Sequence, residues 1–500
     1  MLKLTSSSQQ NLTELILMNY PCDISLLEIA RACPKQLTHL TIHLDFDNVL
    51  IDDQDNVIDR EEQDENDDYK LPLLPHLLYL HLDTRFNFDA RIKYLLRHCP
   101  ELRVFQASKL YKLDGGLILE NMMFMDTHLL ILNDFDFTRI IQLCPKITSI
   151  DCDFNELCEW SSIPDNDNNT KYGLKTFRVA YDQGNSCVQN IIDLLEEAQD
   201  TLEVLNIREL PLEDEDPEYT PTGLLQLISE NMWKNWPRLN QQKIQLPRLR
   251  ELSATVFTDI FSRYLLEFLR QHYQHQRQSS NTFCLEEITL EMNPSLFTNQ
   301  VVNTLTGMTQ LKRLSLSFDR ADDWLFPADL IEHPLTPVPT RFNQLITFPP
   351  LYQISLRYVL LTDETMVQLA NPQSSVERII LYTPDNDLHN PCEVTPDGLI
   401  KFATLLQQRQ SQKKLRELEL SHFEALDDNV LEVLGRIESL IQLVLKYCPN
   451  ITDSGLQRFA ESLNNDNSQL NQFIHTGCQQ ITNVGENSIV RKMQQLRSSV

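Results

Sequence analysis

Residues Leu440–Leu463 read LIQLVLKYCPNITDSGLQRFAESL. The first six follow the pattern aliphatic-x-x-aliphatic-x-aliphatic, and alternation at its fourth to sixth positions predicts a short strand with one inward face. The last eleven, DSGLQRFAESL, space their apolar residues as an amphipathic helix does. Fourteen further copies of the six-residue pattern begin at Leu12, Leu37, Leu77, Leu102, Ile147, Leu174, Leu202, Leu249, Leu285, Leu311, Leu351, Val376, Leu415 and Leu470. Between them lie amphipathic segments such as DISLLEIARACP, NFDARIKYLLRHCP and DETMVQLA.

One strand plus one helix per unit is the leucine-rich-repeat signature, and all-helical arrays lack the strand. No such unit buries its own apolar face, so stacking creates one continuous core. The expected fold is an α/β solenoid of fifteen repeats, a horseshoe with a parallel β-sheet on its concave face and α-helices on its convex face. It reads as a single domain over 1–500, because strands resume in phase after each insertion. The insertions are an acidic, disorder-like stretch at 45–70, an acidic then proline-containing one at 209–248, and a proline-rich one at 321–350. Residues 479–500 predict a basic, polar helix capping the stack.

The stretch Leu440–Leu463 closely resembles the cysteine-containing repeat of F-box/LRR proteins, LxxLxLxxCxxITDxGLxxLAxxCPxL. Cys448, Ile451, Thr452, Asp453, Gly455, Leu456 and Ala460 occupy the pattern's positions, and the next copy follows with Cys478, Ile481, Thr482 and Gly485. The resemblance implies a substrate-recognition module of a cullin-RING ubiquitin ligase, with ligase subunits among its partners. Family members hold the ligase adaptor through an F-box ahead of the repeats, whereas only eleven residues precede Leu12, so no F-box is expected there. The alternative is a stand-alone acidic adaptor or inhibitor, similar to ribonuclease-inhibitor-like proteins, that binds a partner without ligase coupling.

Composition narrows the function classes. Glycine numbers only 11 in 500 residues, and neither GxGxxG nor GxxxxGK[ST] occurs, which removes the commonest nucleotide-binding loops. A net charge of −28 repels phosphate backbones, so nucleic acid is not an expected partner. The amino terminus lacks a secretory h-region and no apolar run is long enough to span a membrane, so the chain reads as cytoplasmic or nuclear, monomeric and without a membrane partner. Eleven cysteines, an odd number without CxxC, argue against a disulfide framework or a zinc site. Cys33, Cys99 and Cys144 recur just ahead of a strand copy, where a thiol serves as a small buried hydrophobe at a helix end.

Acidity is concentrated in the insertions: Asp45–Tyr69 carries twelve acids against one base, and Glu209–Glu218 six acids against none. The third, fifth and seventh positions of the copies should face away from the core. They hold nine acids and six bases, so that face is nearly balanced in an otherwise anionic chain. Candidate partner-binding residues on it are His39, His43, His81, Asp83, Arg178, Arg208, Arg313, Arg357 and Arg378. Arginine's fork suits an acidic or phosphorylated partner segment. Cross-strand pairing competes for two of the arginines: Arg313 should sit beside Glu287 and Arg378 beside Glu417, whereas Arg178, Arg208 and Arg357 are expected beside uncharged neighbours. Register also brings His43 next to Asp83 and close to His81, with Tyr79 alongside. These are metal-ligating types, but three ligands on a flat sheet rarely converge, so the group reads as a polar recognition patch and no metal or cofactor is assigned. Carboxylate pairs such as Asp151/Asp153 and Glu417/Glu419 are alternate residues of one exposed strand, with no apolar pocket to shift a pKa. No catalytic residue is assigned, and the chain is read as a protein-binding module.

Overall fold

The computed structural model describes residues 12–20, 26–44, 74–83, 95–107 without 97, 122–127, 144–154 without 145, 173–182, 195–210 without 196–197, 246–256, 265–271 without 266–267, 285–292, 299–318, 351–383 without 360 and 372–373, 393–409, 414–463 and 468–498. Contacts divide the chain into two compact units, one of residues 1–210 and 218–248, the other of 211–217 and 249–500. The acidic insertion at 45–70 and the proline-rich one at 321–350 lie outside the described residues, as do 211–245 of the third; Glu209 and Leu210 themselves end a strand.

The first unit contains β1 (Glu14–Tyr20), β2 (His39–Leu44), β3 (Tyr79–Asp83), β4 (Val104–Ala107), β5 (Phe124–Thr127), β6 (Ser149–Phe154), β7 (Thr176–Asp182) and β8 (Val204–Leu210), with α1 (Leu26–Ala32) after β1. Each strand pairs in parallel with the next in chain order. The second unit repeats the arrangement with β9 (Glu251–Val256), β10 (Glu287–Met292), β11 (Arg313–Ser317), β12 (Gln353–Arg357), β13 (Arg378–Tyr382), β14 (Glu417–Ser421), β15 (Gln442–Lys446) and β16 (Gln472–Thr476). Its helices are α2 (Asn299–Thr306), α3 (Asp363–Leu369), α4 (Pro396–Gln407), α5 (Asp428–Gly435), α6 (Asp453–Ser462) and α7 (Asn483–Ser498). This is a solenoid-like α/β architecture: parallel neighbours in chain order, with helices as crossovers in the second unit. All fifteen sequence copies form strands, and β5 adds one more among the described residues. It arises from Met122-Met123-Phe124-Met125-Asp126-Thr127, where methionines stand in the leucine positions and a threonine closes the pattern.

Alternation places the core. Leu418, Leu420, Leu443 and Leu445 are sealed from solvent on one side of the second sheet, as are Leu40, Ile42, Leu80 and Leu82 in the first. In the second unit helices cover that side: Phe459 of α6 meets Phe473 of β16 at a ring separation of 5.5 Å. Cys33, Cys99 and Cys144 are free and buried. The carbonyls of Cys99 and Cys144 accept from the N–H of Leu102 and Ile147, closing the turn into the next strand. Burial pushes the Cys33 thiol up to about 11 and those of Cys99 and Cys144 to about 12, so these thiols stay protonated and act as packing groups.

The helices of the second unit are clasped to one another. Thr452 caps α6 by accepting from the Gly455 N–H, and donates its own N–H and hydroxyl to the Asp428 carboxylate of α5 at 2.8 and 2.7 Å. Asp363 receives Thr395 in the same way at 2.8 and 2.8 Å, and Asp453 receives Thr482 at 2.8 and 2.6 Å. A Cβ at Gly455 would stand 2.0 Å from Asp428 Oδ1, so the motif Thr-Asp-x-Gly describes a joint between successive helices rather than a feature of one. Desolvation works to raise the Asp428 pKa, but the hydrogen bonds from Thr452 and Ser454, aided by Arg458, hold it below the usual carboxylate range. Buried Arg409 closes α3 from the side, donating to the carbonyls of Leu369, Ala370 and Val376, and burial lowers its pKa to about 10. At the far end α7 occupies most of the segment expected to cap the stack.

Candidate functional site

All nine candidate residues lie on strands, at third, fifth or seventh positions of their copies, which alternate along the chain with the buried leucines. In the first unit the His39 ring stacks on Tyr79 at 5.7 Å and His43 meets His81 edge-on at 5.3 Å. Asp83 stands opposite His43 in register, and the Tyr79 hydroxyl donates to the Gln106 side chain. Among the described residues no three His, Cys, Asp or Glu side chains are grouped to hold a metal ion. What the His/Tyr group offers chemically is aromatic area with polar edges.

Most of the arginines have carboxylate partners on an adjacent strand. Arg313 lies 2.6 Å from Glu287 and Arg378 2.9 Å from Glu417, the pairs expected from register. Lys446 lies 2.7 Å from Glu419. Arg178 departs from expectation: Asp151 is its register neighbour on β6, 3.7 Å from the guanidinium, so its lateral surroundings are charged. Such half-exposed pairs contribute at most about 1 kcal/mol each, yet they neutralise the face locally. Arg208 sits beside Ala180, and Arg357 between Ser317 and Tyr382. Both are exposed, and neither has an ion pair among the described residues. Glu287 has its pKa raised, first by burial and further by Glu251 in the same row, against the pull of Arg313.

A second aromatic group occupies the ends of β12–β15, one position beyond those considered from the sequence. In an extended chain the eighth position of a copy turns back toward the core. Thr383 does this: it is fully buried, with its hydroxyl donating to the carbonyls of Ser421 and His422. Tyr358, His422 and Tyr447 hold the same position with φ of 54°, 61° and 52°. Left-handed backbone reverses the facing, and their rings join that of Tyr382, which reaches the outward side from an ordinary seventh position. Successive centroids lie 4.8, 4.8 and 4.7 Å apart from Tyr358 through Tyr382 and His422 to Tyr447. The Tyr382 hydroxyl and His422 Nε2 are 3.0 Å apart. Tyr447 is half exposed and rests on Gly477, the eighth position of the last copy, also left-handed at φ 70°. A Cβ on Gly477 would lie 2.3 Å from the Tyr447 ring. Beside the ladder the buried Ser421 hydroxyl has no hydrogen-bond partner among the described residues. Aligning the copies over eight positions instead of seven brings Tyr358, His422 and Tyr447 into one column, the signal that would have found them.

Compared with family models and with curated proteins, the chain matches none. No helix among the described residues is long and apolar enough to cross a membrane.

Proposed function

We propose that the chain is a protein-recognition scaffold, acting in the cytoplasm or nucleus as the substrate-recognition part of a ubiquitin ligase in the manner its F-box/LRR resemblance implies. The observation that carries the recognition role is the ladder of Tyr358, Tyr382, His422 and Tyr447. Left-handed backbone under a bulky residue costs about 1–2 kcal/mol each, and the core gains nothing from rings turned to the outside. Strain spent on an outward aromatic surface suits binding, because tyrosine is enriched among the residues that dominate interfaces. Acid–base chemistry finds less support here: Glu417 and Glu419 are engaged by Arg378 and Lys446, and Asp151 by Arg178.

The test is affinity purification of the full chain with quantitative mass spectrometry, beside a variant carrying Tyr382→Ala and Tyr447→Ala. A protein partner recovered with the wild type and depleted at least about tenfold with the variant is expected, since two hot-spot rings are removed. A cullin-ligase adaptor among the recovered proteins supports the ligase role, and a partner without ligase subunits supports the free-standing adaptor or inhibitor. No partner, or one retained equally by the variant, removes recognition from this face.

A further inference from the structure

We infer that the ladder on β12–β15 takes a proline-rich segment in the polyproline II conformation, with an acidic residue of that segment paired to Arg357. This rests on the recognition role proposed above and names the chemistry of its partner. Two successive ring steps, 4.8 and 4.7 Å, carry the ladder from Tyr382 to Tyr447 over at most about 9.5 Å. One polyproline II turn of three residues rises about 9.3 Å, so residues three apart fall on alternate rings. An added β-strand presents same-face side chains about 6.7 Å apart and does not match this spacing.

Backbone bonding makes the same choice. Strand addition needs open N–H donors, and here they are taken: the N–H groups of Phe318, Tyr358, Thr383, His422 and Tyr447 each donate to a carbonyl of the following strand. A polyproline II segment has no internal hydrogen bonds and little use for backbone partners, and is bound by aromatic surface. Charge gives it a direction. Arg357 immediately precedes Tyr358, is exposed, and has no ion pair among the described residues. Lys446, before Tyr447 at the other end, is tied to Glu419 at 2.7 Å. The acidic residue therefore belongs at the Arg357 end.

Fluorescence anisotropy tests this on the full chain with three labelled probes: about ten prolines headed by two glutamates, the same prolines headed by two lysines, and a glycine-serine peptide of that length headed by two glutamates. The glutamate-headed polyproline should bind, the lysine-headed one about tenfold more weakly, and the glycine-serine probe not measurably. Tyr447→Gly should abolish binding while its melting temperature stays level or rises, because glycine relieves the left-handed backbone. Tyr447→Phe should retain binding. Arg357→Gln should erase the difference between the two polyproline heads. Absence of binding by the glutamate-headed polyproline, binding indifferent to Tyr447→Gly, or equal binding of the glycine-serine probe overturns the inference. A partner captured by the chain and lost from the Tyr382→Ala/Tyr447→Ala variant, with no probe bound, leaves the recognition role standing and removes the proline-rich segment alone.

Discussion

The two units both present aromatic side chains outward, but by different backbone means. In the first, His39, His43, Tyr79 and His81 sit at third, fifth and seventh positions, where strand alternation alone turns them out. In the second, three of the four rings stand at eighth positions and reach the outside only through positive φ. An aromatic group that costs nothing in conformation follows from the repeat. One maintained against backbone preference carries a conformational cost that strand alternation does not require.

In the second unit carboxylate clasps join successive helices, and the account of them can be broken most severely at Asp428. Asp428→Ala strips the Thr452 N–H and hydroxyl of their acceptor and should lower stability in urea denaturation by about 3 kcal/mol. Because the folded pKa lies below the unfolded one, this contribution is complete above the unfolded value of about 4 and is lost as pH falls through the lower folded value. The gap between wild type and variant should thus be flat at neutral pH and close in acid. A gap that widens in acid would refute the clasp.

Next comes a glycine comparison. Gly455→Ala forces a Cβ against Asp428 and should cost about 2 kcal/mol despite alanine's better helix propensity. Gly173→Ala in the first unit meets nothing within 4 Å and should change stability by less than about 0.5 kcal/mol. Smaller still, and opposite in sign, are the effects at the two aromatic groups. Tyr447→Gly should gain up to about 1 kcal/mol by removing left-handed strain, whereas His43→Gly, in ordinary strand, should lose about that much. Equal losses at both would show that no strain is stored at Tyr447. The weakest effect is expected at Arg378→Gln, below about 1 kcal/mol and vanishing in high salt, measured by melting at two ionic strengths.

The strands were legible because aliphatic alternation is a local property, and fifteen copies of it sit at the observed strands. β5 escaped because Met122 and Met125 replace leucine and Thr127 closes the pattern, although methionine fills a core as readily. Thr452, Asp453 and Gly455 were visible as a motif, but their joint purpose lies in contacts with neighbouring repeats, which no single repeat encodes. The register that pairs Arg313 with Glu287 also pairs Arg178 with Asp151, so this contact was within reach of the sequence and the expectation of uncharged neighbours is corrected. The ladder lay beyond the period-two rule itself: facing at Tyr358, His422 and Tyr447 is inverted by φ, and alternation assigns them to the core side.

Hydrogen exchange on the full chain, alone and with the partner it captures, bears most directly on whether the outward side of β12–β15 is the recognition surface. The prediction is slowed exchange confined to amides at the strand ends around Tyr358, Tyr382, His422 and Tyr447. Protection confined to helices α3–α7, or to the strands of the first unit, would contradict it.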